Sequence, residues 1–156
     1  MGSKLIERTG VHRKGEIAFE DILAHLRDNP RLQEAGAVVC FIGLVRGFTH
    51  TGKKVQRLEM EAYEERAEDV LRGISDDLRR KEGIVDVLIH HKVGSFSVGE
   101  DLVYVVVAGR SRKNVFPALM EAVERYKHEA PLWKKETLEG GESYWITEES
   151  ERDTES

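Results

Sequence analysis

Ile84-Val-Asp-Val-Leu-Ile-His-His-Lys-Val-Gly-Ser-Phe-Ser-Val-Gly-Glu-Asp-Leu-Val-Tyr-Val-Val-Val-Ala-Gly-Arg-Ser-Arg-Lys-Asn114 is the stretch whose reading decides the fold. Ile84 to Val93 and Leu102 to Ala108 read as two strands joined through Gly94 and Gly99. The polar segment Gly109–Asn114 then leads into a helix from about Asn114, with that asparagine as its cap and Pro117 accommodated in the first turn. Phe116, Leu119, Met120, Val123 and Lys127 share one stripe of this helix. Strands followed closely by a helix point to an α+β domain.

Working upstream, Ala67, Val70, Leu71, Ile74 and Leu78 mark a long amphipathic helix, with Gly83 just past its end. Before it, Leu58, Met60 and Ala62 alternate with Glu59, Glu61 and Tyr63, the pattern of a half-buried strand. Ala37 to Val45 is a continuous apolar run, read as a strand buried on both faces, with Cys40 in the core. Phe19, Ile22, Leu23 and Leu26 form a first helix ended by Asn29-Pro30. Leu5 and Ile6 are expected to open a short strand, followed by a polar loop containing Gly10 and Gly15. Downstream, Trp133 and Tyr144-Trp145-Ile146 suggest two short closing strands. The sum is three main helices on a mixed or antiparallel sheet, within one domain spanning 1–147.

The 156 residues are 40% hydrophobic and 34% charged, a soluble composition with no apolar run long enough to span a bilayer. The start lacks a signal-peptide pattern, and a single cysteine excludes an intramolecular disulfide; a reducing cytoplasm is the expected location. Net charge is −5, yet residues 148–156 hold five acids and one arginine and so contribute −4. That tail is expected to be disordered. The near-neutral body argues against a general nucleic-acid binder.

Three places carry candidate chemistry. Arg110, Arg112 and Lys113 crowd a helix start, where free N–H groups and the dipole favour an anion. Solvent exposure explains such cations equally well. Arg46 ends the apolar run, and an arginine there can clamp a phosphate or simply pair with a glutamate at the rim. Finally, Lys127 sits at the C-terminal edge of a helix stripe, where snorkelling alone would place it. Pro131 turns the chain, and alternation puts Lys134 and Glu136 on one strand face, Trp133 and Lys135 on the other. If the turn brings Lys127 and Lys134 together beside apolar surface, each depresses the other's pKa and either can move protons near neutrality. No metal-ligand spacing, P-loop or dinucleotide fingerprint is present.

Several segments coincide with one family. Gly36-Ala-Val-Val-Cys-Phe-Ile-Gly-Leu-Val-Arg46, Leu58–Tyr63, His90–Glu100, Ser111-Arg112 with Phe116, and Lys127 through Ala130-Pro-Leu-Trp-Lys-Lys-Glu136 resemble the molybdopterin synthase catalytic (large) subunit. The resemblance runs from about residue 4 to 147, in order, and its Ala-Pro-x-Trp-Lys-[Lys/Arg]-Glu signature is specific. It implies an α/β-hammerhead fold and a homodimer. Each large subunit would carry one small ubiquitin-like sulfur-carrier subunit, giving a heterotetramer. The carrier's C-terminal Gly-Gly thiocarboxylate would pass two sulfurs to cyclic pyranopterin monophosphate to form the molybdopterin dithiolene, with no metal or other cofactor. The family's substrate contacts fall on Leu44, Val45, Arg46, Ser111, Arg112, Lys127, Lys134, Lys135 and Glu136, with Lys127 and Lys134 as the catalytic pair.

This chain departs from the family at two points. Many members have His-Arg where it has Ser111-Arg112, which removes a histidine proton shuttle, and Gly-Phe-Thr-His follows Arg46. His50 is a candidate stand-in. Competing readings are a non-catalytic phosphate- or nucleotide-binding module using Arg46, Arg110 and Arg112, a paralogue of altered rate, and an RNA binder using Lys53-Lys54 and Arg110–Lys113.

Overall fold

The computed structural model describes residues 9–146. In order come β1 (Thr9–Arg13), α1 (Phe19–Arg27), a 3₁₀ turn (Pro30–Glu34), β2 (Ala37–Leu44), β3 (Val55–Ala62) and α2 (Glu64–Arg79). They are followed by β4 (Ile84–Ser97), β5 (Asp101–Gly109), α3 (Arg112–Glu129), β6 (Leu132–Leu138) and β7 (Ser143–Trp145). The strand expected at Leu5-Ile6 and the acidic tail fall outside the described residues.

The sheet runs β2-β5-β4-β3-β6-β7, with β1 alongside β4. Its pairings are antiparallel apart from the parallel β1–β4 pair, the expected α+β arrangement. Strand β4 organises it: residues 84–91 pair with β5, 89–93 with β1 and 94–97 with β3. Gly94 (φ 131°) marks the point where β4 leaves one set of partners for the other, a backbone conformation that a side chain disfavours. Sequence placed Gly94 in the connection between the two strands. The strand instead continues to Ser97, and the turn lies at Gly99 (φ 88°). Gly10, expected in a loop, lies in β1, where pairing with β4 satisfies a backbone whose side chains give no strand signal.

Helices α2 and α3 cover one face, packing Leu71, Ile74, Leu78, Val115 and Ala122 against Val87, Ile89, Val105 and Val107. On the other face α1 sets Ile22 and Leu26 over Leu88, Tyr104 and Val106.

Three expectations are corrected. Strand β2 is not buried on both faces: among the described residues it pairs only with β5, and Val38, Cys40, Ile42 and Leu44 are exposed. The α1 core draws on β4 and β5 but on no β2 residue, so no described element covers this half of the run. Cys40 is therefore at the surface. Desolvation pushes its thiol up, the opposite of an activated nucleophile. Helix α3 begins at Arg112, with Ser111 at the N-cap; Asn114 instead accepts from Ser111 Oγ (2.9 Å) and donates to the Glu82 carbonyl (3.2 Å). Pro117 thus lies in the second turn rather than the first. The buried face of α3 is Val115, Ala118, Ala122, Val123 and Tyr126, leaving Phe116 58% and Met120 64% exposed. Its alanines allow close approach to the sheet, whereas a hydrophobic stripe drawn from sequence favours the largest side chains.

Candidate active site

The edge strand β2 runs directly into the first candidate. Val45 is buried and tied on both sides: its N–H donates to the Glu100 carbonyl (3.0 Å) and its carbonyl accepts from Gly99 N–H (2.9 Å). Val55 N–H donates to the Gly47 carbonyl (2.9 Å). These two anchors hold Arg46 at a fixed position between β2 and β3.

The second component comes from the end of α3. Tyr126 is buried and Lys127 exposed. Ala130, before proline, leaves the helix in an extended conformation (φ −80°, ψ 134°). The chain reverses through Pro131 into β6, which pairs Met60 with Lys134 and Leu58 with Glu136. Alternation along β6 then does what its sequence implies: Lys134 and Glu136 face one side, while Lys135 faces the other, its ammonium 5.9 Å from the Trp145 ring centre.

Arg46, Lys127 and Lys134 consequently line one cavity of about 430 Å³, together with Leu44, Val45 and Glu136. Its size falls in the range of small-molecule sites, roughly 300–1,000 Å³. Among the described residues three cations face a single carboxylate there, and Glu136 accepts a hydrogen bond from Tyr144 Oη. Burial first, then the Glu136 carboxylate, push the Tyr144 hydroxyl up to about 12, so it stays a donor. The remaining walls are largely apolar, so an anion entering the cavity meets the three cations at close range.

Three predicted contacts lie elsewhere. Lys135 is on the opposite face of β6. Ser111 and Arg112 are at the first turn of α3, whereas Lys127 is at its last. Fifteen residues at 1.5 Å each separate Arg112 from Lys127 by about 22 Å, too far for one chain to place both on a small ligand. His50 lines a neighbouring cavity of about 230 Å³ with Lys53 and Thr49; Arg46 and Glu136 form the wall shared by the two.

His91 was not singled out from sequence. The only signal was its position in an apolar strand, opposite in facing to His90. It is 2% exposed, stacks edge-on against Tyr126 (5.8 Å between ring centres) and lines the cavity with both lysines. Its Nδ1 lies 2.9 Å from the Lys92 carbonyl, so that nitrogen carries the proton and Nε2 is a bare acceptor. Burial first, with the Lys134 charge adding to it, pushes His91 down to about 4 and keeps it neutral.

Comparison with known proteins fits this geometry. Residues 12–129 match the family model described as MoaE protein. The molybdopterin synthase catalytic subunit of Bacillus subtilis (strain 168) is 40% identical over 119 residues, covering 76% of this chain and 74% of that one. Its counterpart from Nostoc sp. (strain PCC 7120 / SAG 25.82 / UTEX 2576) is 41% identical over 132 residues, 84% of this chain and 77% of that one. The crystal structure of molybdopterin synthase from Staphylococcus aureus superposes with a TM-score of 0.79 at 31% identity, covering 91% of this chain and 98% of that one. The chain belongs to the MoaE family, which includes the molybdopterin synthase catalytic subunits.

Proposed function

We propose that this protein is the catalytic subunit of a molybdopterin synthase. It transfers two sulfurs in succession from the C-terminal thiocarboxylate of a small ubiquitin-like carrier to cyclic pyranopterin monophosphate, forming the dithiolene, in the cytoplasm. The observation that carries this reading is the meeting of Arg46, Lys127 and Lys134 in one largely apolar cavity. Both reactants are anionic, and fixed cations in a partly dry site bind them and oppose the charge that develops.

In each round the thiocarboxylate sulfur bonds to a substrate carbon as that carbon's C–O bond breaks, the oxygen keeping the electron pair and taking up a proton, which leaves an acyl thioester between carrier and pterin. Water then attacks the acyl carbon and the acyl C–S bond breaks. Sulfur stays on the pterin and the carrier leaves as a carboxylate. Lys127 and Lys134 face the tetrahedral oxyanion of this step, and Arg46 holds the substrate phosphate. Preorganised donors of this kind each contribute roughly 10²–10³-fold in rate.

Ser111 and Arg112 join this site from a second copy. Gly36 N–H donates to the Gly109 carbonyl (2.8 Å), so β2 starts beside the start of α3, and it ends at Leu44, two residues before Arg46. From Ala37 to Leu44, β2 spans about 24 Å, close to the separation of Arg112 from Lys127. Two copies related by a two-fold axis at the open β2 edge would exchange these ends, placing Arg112 of the partner subunit by Arg46. The exposed Val38, Ile42 and Leu44 give that contact its apolar surface.

Conversion of cyclic pyranopterin monophosphate by the protein, supplied with thiocarboxylated carrier, tests the reading. Full conversion by wild type and turnover lowered by roughly 10²–10³-fold in Lys127→Ala or Lys134→Ala is expected. Near-normal turnover by both variants would overturn the assigned roles.

A further inference from the structure

His91 lines both cavities that Lys127 and Lys134 share, whereas His128 reaches only the second and sits exposed beside Glu124; the Nε2 of His91 has a singular status. No described residue bonds that atom, yet it is not among the buried polar atoms sealed without a partner; those are Ser75 Oγ and His90 Nε2. An unpaired acceptor that is neither bonded nor sealed opens into the space it lines. Everything else about the ring is fixed. Its Nδ1–H is committed to the Lys92 carbonyl, Tyr126 of α3 holds one edge, and the strand pairing of His91 with Val103 sets its facing. A well-oriented neutral imidazole, with a free lone pair in a cation-lined cavity, has the form of a proton acceptor. Packing alone does not call for it, since the surrounding cluster is apolar.

We propose that His91 is a further catalytic residue, the base that takes the proton of the attacking water when the acyl thioester is hydrolysed. This rests on the sulfur-transfer reading above. In the step, the water oxygen bonds to the acyl carbon as its O–H bond breaks, and the proton goes to His91 Nε2. The acyl C–S bond then breaks with its electron pair passing to sulfur, and the imidazolium returns its proton to solvent through the cavity. Ser111 cannot move this proton, and His50 lies beyond Arg46 in the neighbouring cavity.

The charged and titratable groups that share cavities with His91 are Tyr126, Lys127 and His128 from α3, Lys134 and Glu136 from β6, and Arg46 just past the end of β2. Before the reactants bind, burial first and the Lys134 charge after it keep the imidazole a weak base. The phosphate and the carrier tail bring negative charge to the same space, offset the lysines and raise its basicity once the reactants are bound. The base is thereby strengthened only in the loaded site.

The test compares wild type, His91→Gln and His91→Phe, using thiocarboxylated carrier and cyclic pyranopterin monophosphate in single-turnover reactions. Glutamine restores a neutral acceptor near Nε2 but cannot take a proton. The expected result is folded variants whose turnover falls roughly 10²-fold or more, with KM changed less than about threefold. The carrier–pterin thioester should accumulate by intact-mass spectrometry. Wild-type thioester decay should show an acid limb that His91→Gln lacks. A His91→Gln enzyme with near-normal turnover, or one that is slow through a raised KM without accumulated thioester, overturns the proposal. If both variants fail to fold, the wild-type profile decides: decay without an acid limb between about pH 5 and 8 refutes the base. Absence of any conversion by wild type sinks the sulfur-transfer reading itself, which separates the two failures.

Discussion

Acid should destabilise this fold well above the carboxylate range, because two buried adjacent histidines are neutral in the folded state. His90 is fully buried on the α1 side, 2.9 Å from His12 of β1. Burial, with smaller contributions from His12 and His25, pushes it down to about 3. His91, on the opposite face, is pushed down to about 4. Each ordinarily titrates near 6.5. A depressed folded-state pKa means that the unfolded chain binds more protons as pH falls. The contribution is therefore complete above 6.5 and lost between 6.5 and the folded values. At pH 5 the unfolded histidines are nearly all protonated and the folded ones nearly all neutral, a loss of about 2 kcal/mol each and about 4 kcal/mol together relative to pH 7.5.

The perturbation is His90→Gln or His91→Gln, and the assay is urea unfolding at pH 7.5, 6.5, 5.5 and 5.0. Wild type should lose about 4 kcal/mol across the series, equivalent to roughly 10 °C in Tm for a chain of this size. Each single variant should lose about half as much, whatever its stability at pH 7.5. The lowered carboxyls of Glu34 and Glu100, paired with Arg31 and Lys14, lose their contribution as pH falls through the ordinary carboxylate range, mostly below the last point of this series. A wild-type loss under about 1 kcal/mol, or an unchanged loss in both variants, would refute the assignment of neutral buried histidines.

Further outcomes follow from the site. Lys127→Ala and Lys134→Ala should each lower turnover by roughly 10²–10³-fold with Tm nearly unchanged, whereas Lys135→Ala, on the other face of β6, should retain most activity in the same assay. Val38→Glu, which does not line the cavity, should yield monomers by light scattering and lose activity with the dimer. Equal mixing of inactive Arg112→Ala and Lys127→Ala proteins, after subunit exchange, should restore about a quarter of wild-type activity, since half of the dimers then hold one intact site. No recovery despite exchange would place Arg112 outside the partner's site. Ile22→Ala, at a fully buried position on α1, should cost roughly 2–5 kcal/mol by denaturant unfolding.

Sequence made the local geometry legible wherever a short period governs it. Alternation along β6 correctly separated Lys134 and Glu136 from Lys135, and Pro131 marked the reversal that brings Lys134 to Lys127. Period alone could not say which apolar face its own chain would cover. β2 reads as doubly buried from its composition, yet no described element covers half of its apolar residues; a strand awaiting a partner has the same composition as one at the centre of a sheet. The buried face of α3 was misjudged for a related reason: Ala118 and Ala122 approach the sheet because they are small, a quality that hydrophobic periodicity undervalues. His91 escaped notice because a histidine within an apolar strand has no local mark of function; only the third dimension shows its Nε2 opening beside two lysines.

The exposed face of β2 and the distance of Arg112 from Lys127 along α3 have one physical explanation in common. The cavity holding Arg46, Lys127 and Lys134 is walled in part by Ile42, Gly43 and Leu44, residues of the same edge strand that lacks cover. The wall of the site is thus also the unfinished edge of the sheet. In an isolated chain that wall leaves apolar side chains and one side of the cavity open to water, which weakens every charge interaction inside it. A second copy at the β2 edge would bury Val38, Ile42 and Leu44 and close that side of the cavity. The same contact would bring Arg112 of the partner subunit across the gap that α3 imposes within one chain. Folding and catalysis then draw on the same apolar strand, so loss of dimerisation and loss of sulfur transfer should appear together, at the same substitutions along β2.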